Sequence, residues 1–258
     1  MNGRKARIQN RQPRVIVHTV EPAGGMAWYV SELVVALARS RIEVVLLCPA
    51  NFEFADKVRN AGAEVEPCAV RDVSYAGLSE RILRNLRFVA KTTLAQLRLF
   101  RSGDIVHFAS FYAGFGVAFF LPVFLRDALS IITAHDPLPH RWLLPRRFRW
   151  LERRLFQLPY RLSGGVVVHN ETGKDVIRRV RRGPEGIFVI PHGPYPEAAE
   201  DQMAYPRFDC LRLLVFGTIR EDKGLHLAIR AVQAWSPDAR VPLRLTIAGT
   251  LHNGAEAR

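Results

Sequence analysis

Short, nearly all-apolar runs alternate along this chain with longer stretches in which apolar residues return every three or four positions. Val15–Val20 is a β-branched run, and Met26–Arg41 follows with Val30, Leu33, Val34 and Leu37 at helical spacing. Ile42–Cys48 predicts a second strand, Phe52–Ala61 a short helix closed by Gly62, and Ala63–Cys68 a weaker strand. Leu78–Phe100 predicts a long helix, its apolar residues Leu83, Leu86, Ala90, Leu94 and Leu97 spaced three or four apart. The series continues with a strand at Asp104–Ala109, a helix at Gly116–Asp127 despite Pro122, a strand at Ser130–Ala134 and a helix at Arg146–Leu158. It closes with a strand at Val166–His169, a helix from Glu171 to Arg182 and a strand at Ile187–Ile190.

Strands that are apolar on both faces and separated by helices mark a parallel sheet covered on both sides. The expected fold class is α/β, with a doubly wound Rossmann-like N-terminal domain over residues 14–190. Residues 191–209 break the pattern: Pro191, Pro194, Pro196 and Pro206, with Glu197, Glu200 and Asp201, compose a polar linker. Strand–helix–strand logic then restarts with Leu211–Phe216, a helix from about Gly224 to Trp235, a turn at Ser236–Pro237 and Leu243–Ala248. Residues 210–258 therefore predict the opening of a second Rossmann-like domain. They are few against the roughly 100 residues of an ordinary domain, and two parallel strands with one helix cannot cover both their faces. The expectation is an incomplete second domain: either it packs on something, or residues are missing.

Charge changes the picture. Among 258 residues, 37 Lys and Arg against 24 Asp and Glu leave +13, which attracts phosphate-bearing partners: nucleic acid, anionic lipid or nucleotide diphosphates. Cys48, Cys68 and Cys210 have no CxxC or CxxH spacing, so neither a disulfide framework nor a zinc site is indicated, and a reducing cytoplasm is the simplest setting. Arg4, Lys5, Arg7, Arg11 and Arg14 imitate the start of a secretion signal, yet the apolar run after them is too short and is broken by His18. Ile105–Leu125 carries no charged residue and is long enough to span a bilayer, but Gly114, Gly116 and Pro122 interrupt it. A buried strand followed by a buried helix is the expected reading.

Four strand ends carry candidate chemistry. At the first, Gly24-Gly25 precedes a helix, where backbone N–H groups and the helix dipole suit a phosphate; taken alone, the pair is better explained by a tight loop needing positive φ. A dinucleotide dehydrogenase would want GxGxxG there and an acid after the second strand, and neither is present. His135-Asp136 follows the strand ending at Ala134, where ligands of such sheets sit, and suits proton handling or hydroxyl binding; a capped loop histidine is the alternative. His192-Gly193 follows Ile190-Pro191 and either lines the cleft or sets the turn into the linker. Gly217-Thr218-Ile219-Arg220-Glu221-Asp222-Lys223-Gly224 places two cations at a helix start, where Arg220 and Lys223 would offset a departing diphosphate's charge or stand as ordinary surface cations.

Taken in order, Gly24-Gly25, Thr133-x-His135-Asp136, Val189-Ile190-Pro191-His192-Gly193 and Phe216-Gly217-x-Ile219-Arg220-x-x-Lys223-Gly224 resemble glycosyltransferase family 4 from about Arg14 to Gly249. That family comprises retaining enzymes with two Rossmann domains, the GT-B fold. The resemblance implies a nucleotide diphosphate sugar as donor, bound mainly to the second domain and approached by the loop matching Gly24 and Gly25. It implies that His135 contacts the transferred sugar, with Asp136 beside it, and that Gly217, Arg220 and Lys223 hold the phosphates. It also implies no bound metal and no cofactor beyond the donor. Members with the Gly-x-Ile-Arg-x-x-Lys-Gly pattern often build exopolysaccharide on glycan or lipid-linked acceptors.

One departure stands out. The family's Glu-x7-Glu pattern follows the strand matching Leu243–Ala248, but here Glu256 is the only acid after Gly249. The expectation is a chain impaired by itself, or alternatively a non-catalytic Rossmann-like binding protein descended from such an enzyme. Arg146-Arg147-Phe148-Arg149-Trp150 with Arg153 and Arg154, and Arg84, Arg87, Lys91 and Arg98, border apolar residues. Such stripes hold a protein on anionic lipid or merely solvate a helix whose apolar side faces a core. A cytoplasmic protein peripheral at the inner membrane face is expected. No helix-turn-helix, zinc finger or RNP-type strand supports a nucleic-acid partner.

Overall fold

The computed structural model describes residues 13–71, 77–110, 116–139, 145–193, 210–217, 219, 223–235 and 241–249. Two compact units divide the chain, Met1–Gly193 and Pro194–Arg258. The expected turn at Ser236–Pro237, residues 194–209 of the expected linker and Glu256 lie outside the described residues.

In the first unit seven strands form one parallel sheet: β1 (Val15–His18), β2 (Val44–Pro49), β3 (Glu64–Cys68), β4 (Ile105–Phe108), β5 (Leu129–Ala134), β6 (Gly165–Val168) and β7 (Ile187–Val189). Their order is β3-β2-β1-β4-β5-β6-β7. The chain steps outward from β1 to one edge, returns past β1 to β4, and then steps to the other edge. That reversal between β1 and β4 is the switch point of a doubly wound sheet, where ligands gather beyond the strands' carboxyl ends.

Helices α1 (Gly24–Arg39) and α2 (Ala55–Asn60) cover one face. They close a core of Val17, Ala27, Val30, Val34, Leu46 and Val58. On the other face lie α3 (Leu78–Leu99), α4 (Phe120–Leu125), α5 (Arg149–Leu162) and α6 (Glu171–Arg181), over Ile16, Phe88, Phe108, Phe119, Ile132, Tyr160 and Ile177. The strands are apolar on both faces because each face has its own helical layer. Asn170 starts α6 by accepting the Gly173 N–H at 2.7 Å, and Arg182 ends it in the left-handed region at φ 63°. The apolar stretch after β4 resolves into a 3-10 turn at Gly116–Phe119 and the short α4. Among the described residues no helix is long and apolar enough to cross a membrane.

Helix α3 differs from its expectation. The periodicity is helical, but the leucine stripe faces outward: Leu83, Leu86 and Leu94 are 48%, 55% and 47% exposed. The helix instead buries Asn85, Phe88, Thr92 and Gln96. Its far end is pinned by Arg14, whose guanidinium donates to Asp104 at 2.8 and 3.2 Å and to the Leu99 carbonyl at 2.8 Å. Asp104 also accepts the Arg101 N–H at 2.7 Å, so one buried ion pair ties the start of β1 to the α3–β4 junction.

The second unit repeats the strand–helix–strand plan. β8 (Leu211–Phe216) pairs in parallel with β9 (Leu243–Ala248), and α7 (Leu225–Gln233) connects them. None of its described residues is buried. Both units are α/β: a doubly wound domain, followed in sequence by a second Rossmann-like unit.

Candidate functional site

The parallel register builds the first unit's carboxyl edge. β5 and β6 pair Ala134 with Val168, so His135 and His169, one residue further on, lie opposite each other. β6 and β7 pair Val168 with Val189, which sets His169 opposite Ile190, and His192 follows two residues later. Alternation along a strand keeps Thr133 and His135 on one face of the sheet, and that face is the α1 side. There Tyr29 of α1 packs its ring edge-on against His135 at 4.7 Å and His169 at 5.6 Å, with His192 tilted at 4.9 Å. Beneath, the Thr133 hydroxyl meets His107 Nε2 at 2.7 Å.

The histidines are held by backbone carbonyls. His135 Nε2 donates to Ala109 O at 3.1 Å, and His169 Nδ1 donates to Ile190 O at 2.9 Å. His169 Nε2 and His135 Nδ1 stand 2.9 Å apart. His192 Nδ1 donates to Gly193 O at 3.2 Å. Burial first, then the charges of His169 and His192, push His135 down to about 4 against the opposing pull of Ala109 and Asp136. His135 is therefore a neutral imidazole at pH 7, a lone-pair donor rather than an acid. Among the described residues these three histidines form the one group whose ligand atoms all lie within 4.8 Å of one another.

Nearer the middle of the edge, after β1, Gly24 opens α1 with φ 80°, a left-handed conformation that favours glycine. Its N–H donates to the Glu53 carboxylate at 3.0 Å, so an anion already stands at this helix start. Gly25 follows, exposed, in the first turn.

The second unit has its own strand-end loop. Gly217 has φ 115° and donates its N–H to Ala248 O at 3.0 Å. A Cβ on Gly249 would lie 1.8 Å from Gly217 O, so the two strand ends meet backbone to backbone. Lys223 is exposed just before Gly224, the left-handed N-cap of α7. Arg220 lies outside the described residues.

Comparison with known families settles what kind of protein carries these features. The profile of Glycosyltransferase Family 4 matches residues 23–197, more than half of the chain. The chain belongs to glycosyltransferase family 4. Solved structures agree on fold. HepE of Anabaena, solved in complex with UDP and glucose, superposes with a TM-score of 0.60 at 16% identity over 95% of this chain. CalG4, the calicheamicin glycosyltransferase, gives 0.50 at 17% identity over 96% of this chain and 68% of its own. The N-terminal domain of Candida albicans trehalose-6-phosphate phosphatase gives 0.62 at 11% identity over 94% of this chain and 65% of its own. The chain spans 63% of the length of the HepE chain. A search of curated proteins returns no sequence match.

Of the residues singled out in this family 4 sequence, His135 and His192 come together, with ring centroids 6.1 Å apart. Asp136 is adjacent in sequence but exposed, while both His135 ring nitrogens engage other groups. Three further residues escaped the sequence reading: Tyr29, His169 and Glu53. His169 was legible in principle, because it ends an apolar strand as His135 does and so occupies the same edge. Tyr29 and Glu53 carried no such signal, since only the packing of α1 and the loop after β2 brings them to the site.

Proposed function

We propose that this family 4 chain belongs to a retaining glycosyltransferase and is impaired by itself. The enzyme transfers a hexose from a nucleotide diphosphate sugar to a glycan or lipid-linked acceptor in cell-surface polysaccharide synthesis. The family match over residues 23–197 carries this reading. HepE, solved with UDP-glucose, makes a uridine diphosphate sugar the donor to try first.

Residues 14–190 serve as the acceptor-side domain, residues 191–209 as a linker and residues 210–258 as the start of the donor-side domain. The helix start at Gly24 and Gly25 offers N–H groups to the diphosphate, and Glu53 marks where an anion sits before donor arrives. Gly217 lets backbone approach the phosphates, and Arg220 with Lys223 stabilises them as they depart, a role that needs no metal. Neutral His135 receives a sugar hydroxyl, Asp136 assists from the loop, and His192 and Gly193 line the cleft. Calorimetry with UDP-glucose in the presence of EDTA tests the reading. Binding that weakens at least tenfold in Lys223→Ala supports it, and no saturable binding of UDP or its sugars by the wild type overturns it.

The acceptor side is proposed to rest reversibly on the anionic inner face of the membrane. Leu83, Leu86 and Leu94 of α3, Phe124 and Leu125 of α4, and Trp150 of α5 are all exposed beside arginines and lysines. Exposed apolar groups flanked by cations gain both insertion and charge attraction at such a surface. Co-sedimentation with phosphatidylserine vesicles at low salt is expected, and its absence removes this part of the proposal. Nucleic acid is not expected to bind under the same conditions.

A further inference from the structure

We propose that His135, His169 and His192 form a binding site for a borderline transition-metal ion, Zn2+ foremost, at the carboxyl edge of the first unit's sheet. Proton bookkeeping leads there. A carbonyl oxygen only accepts, so the hydrogen bonds to Ala109 O and Ile190 O place protons on His135 Nε2 and His169 Nδ1. In neutral rings, the lone pairs then lie on His135 Nδ1 and His169 Nε2, and these two nitrogens face each other at 2.9 Å. Two lone pairs at that separation repel, and a positive centre between them relieves it.

A shared proton would satisfy two nitrogens and have no use for a third. Here His192 supplies the third, with one ligand nitrogen from each ring within 4.8 Å of the others. Each ring also gives a proton to a backbone carbonyl, His192 to Gly193 O, which is how metal-binding histidines are usually oriented. At zinc–nitrogen distances of about 2.0–2.1 Å, tetrahedral ligand nitrogens lie about 3.3 Å apart, so the closest pair parts by about half an ångström while the wider separations contract. His192, exposed and following the last strand, is the ring placed to move. A fourth ligand, water or a hydroxyl, would complete the tetrahedron.

Three imidazoles and no carboxylate ligand select among metals. Imidazole suits Zn2+, Ni2+, Co2+ and Cu2+, whereas Mg2+ and Ca2+ demand oxygen ligands. The ion takes no part in sugar transfer. It occupies His135 Nδ1, so on the proposed function above it competes with donor sugar at this site, and only that consequence rests on that reading.

The test uses untagged chain stripped with EDTA and desalted. Zn2+ titrated against a chromophoric chelator is expected to bind one equivalent with a Kd in the micromolar range or tighter. His135→Gln, His169→Gln and His192→Gln are each expected to weaken it at least tenfold, while replacement of all three cysteines by serine leaves it within twofold. Co2+ in place of Zn2+ is expected to show the intense visible absorption of a four-coordinate site with three nitrogen ligands, and Mg2+ to bind at least a hundredfold more weakly. Circular dichroism of each variant separates lost ligation from lost folding. If a variant is unfolded, the wild type decides: Zn2+ must raise its thermal midpoint and Mg2+ must not. No stoichiometric Zn2+ binding by the wild type, or unchanged binding in folded His169→Gln, overturns the site. UDP-glucose binding in EDTA is measured alongside, so failure of the metal site and failure of the transferase reading appear in separate readouts.

Discussion

Helices α1 and α3 cover opposite faces of the same doubly wound sheet, and they solve burial in opposite ways. α1 turns Ala27, Val30, Val34 and Val35 to the sheet and keeps Arg39 in its last turn outside. α3 turns Asn85, Thr92 and Gln96 inward around Phe88 and leaves Ile82, Leu83, Leu86 and Leu94 in solvent. The hydroxyl of Thr92 and both amide atoms of Gln96 have no hydrogen-bond partner among the described residues. Burying such groups costs on the order of 1–3 kcal/mol each. A helix that hides amides and shows leucines is not explained by the core of this unit alone. In α1 the apolar stripe serves the core; in α3 it is available to a surface.

The comparison is easiest to break with a charge. Val34→Asp buries an unpaired carboxylate in a site with no exposure and is expected to cost at least about 3–5 kcal/mol, abolishing cooperative urea unfolding. Leu86→Asp on α3 is expected to stay within about 0.5 kcal/mol of wild type. Equal losses from both would show that α3 packs as α1 does.

Next in size is the pin at the end of α3. Asp104→Ala leaves the Arg14 guanidinium buried without its carboxylate, and a loss of about 3 kcal/mol by urea denaturation is expected. A loss under about 1 kcal/mol would mean that the far end of α3 is held by packing alone.

A third test reads the core beneath α3 through pH. His18 is fully buried between Phe108 and Phe119, and burial pushes it down to about 3. The unfolded chain takes up this proton below about pH 6.5 while the native state refuses it, so stability is full above that value and falls as pH drops toward 3. His18→Leu is expected to flatten the decline by about 1 kcal/mol per pH unit between pH 6 and 4. The difference between variant and wild-type thermal midpoints across that window measures it.

Smaller effects sharpen the contrast. Gln96→Leu removes two unpartnered amide atoms and is expected to stabilise by about 1 kcal/mol in urea. Leu83→Gln, Leu86→Gln and Leu94→Gln together are expected to change stability by less than about 1 kcal/mol. They should nevertheless lower vesicle co-sedimentation severalfold, which a merely solvated face would not do.

Much of the fold was legible because the strands are short, β-branched and separated by helical periods of ordinary length. The order of β1 to β9 along the chain and their type follow from that alternation, while helix bounds differ by up to four residues, as in α5, which runs Arg149–Leu162 against the expected Arg146–Leu158. α1, for example, begins at Gly24 rather than Met26 because the glycine's left-handed conformation already starts the turn. Part of the site was legible for a related reason: residues just past an apolar strand must lie at the sheet's carboxyl edge, which singled out Gly24, Gly25, His135, Asp136, His192 and Gly193. What stayed hidden was which of those neighbours touch. His135 meets His169 only because β5 and β6 are adjacent and in that register.

The sequence by itself determined the alternation of elements, the parallel class of the sheet and the chemistry available at its edge, because backbone propensity and period depend on near neighbours. Only the tertiary structure decided which side of α3 is wet, that three histidines gather against Tyr29, and that Glu53 caps the glycine loop. Those outcomes depend on strand order, register and helix rotation. They are set by contacts between residues tens of positions apart, and no local spacing encodes them.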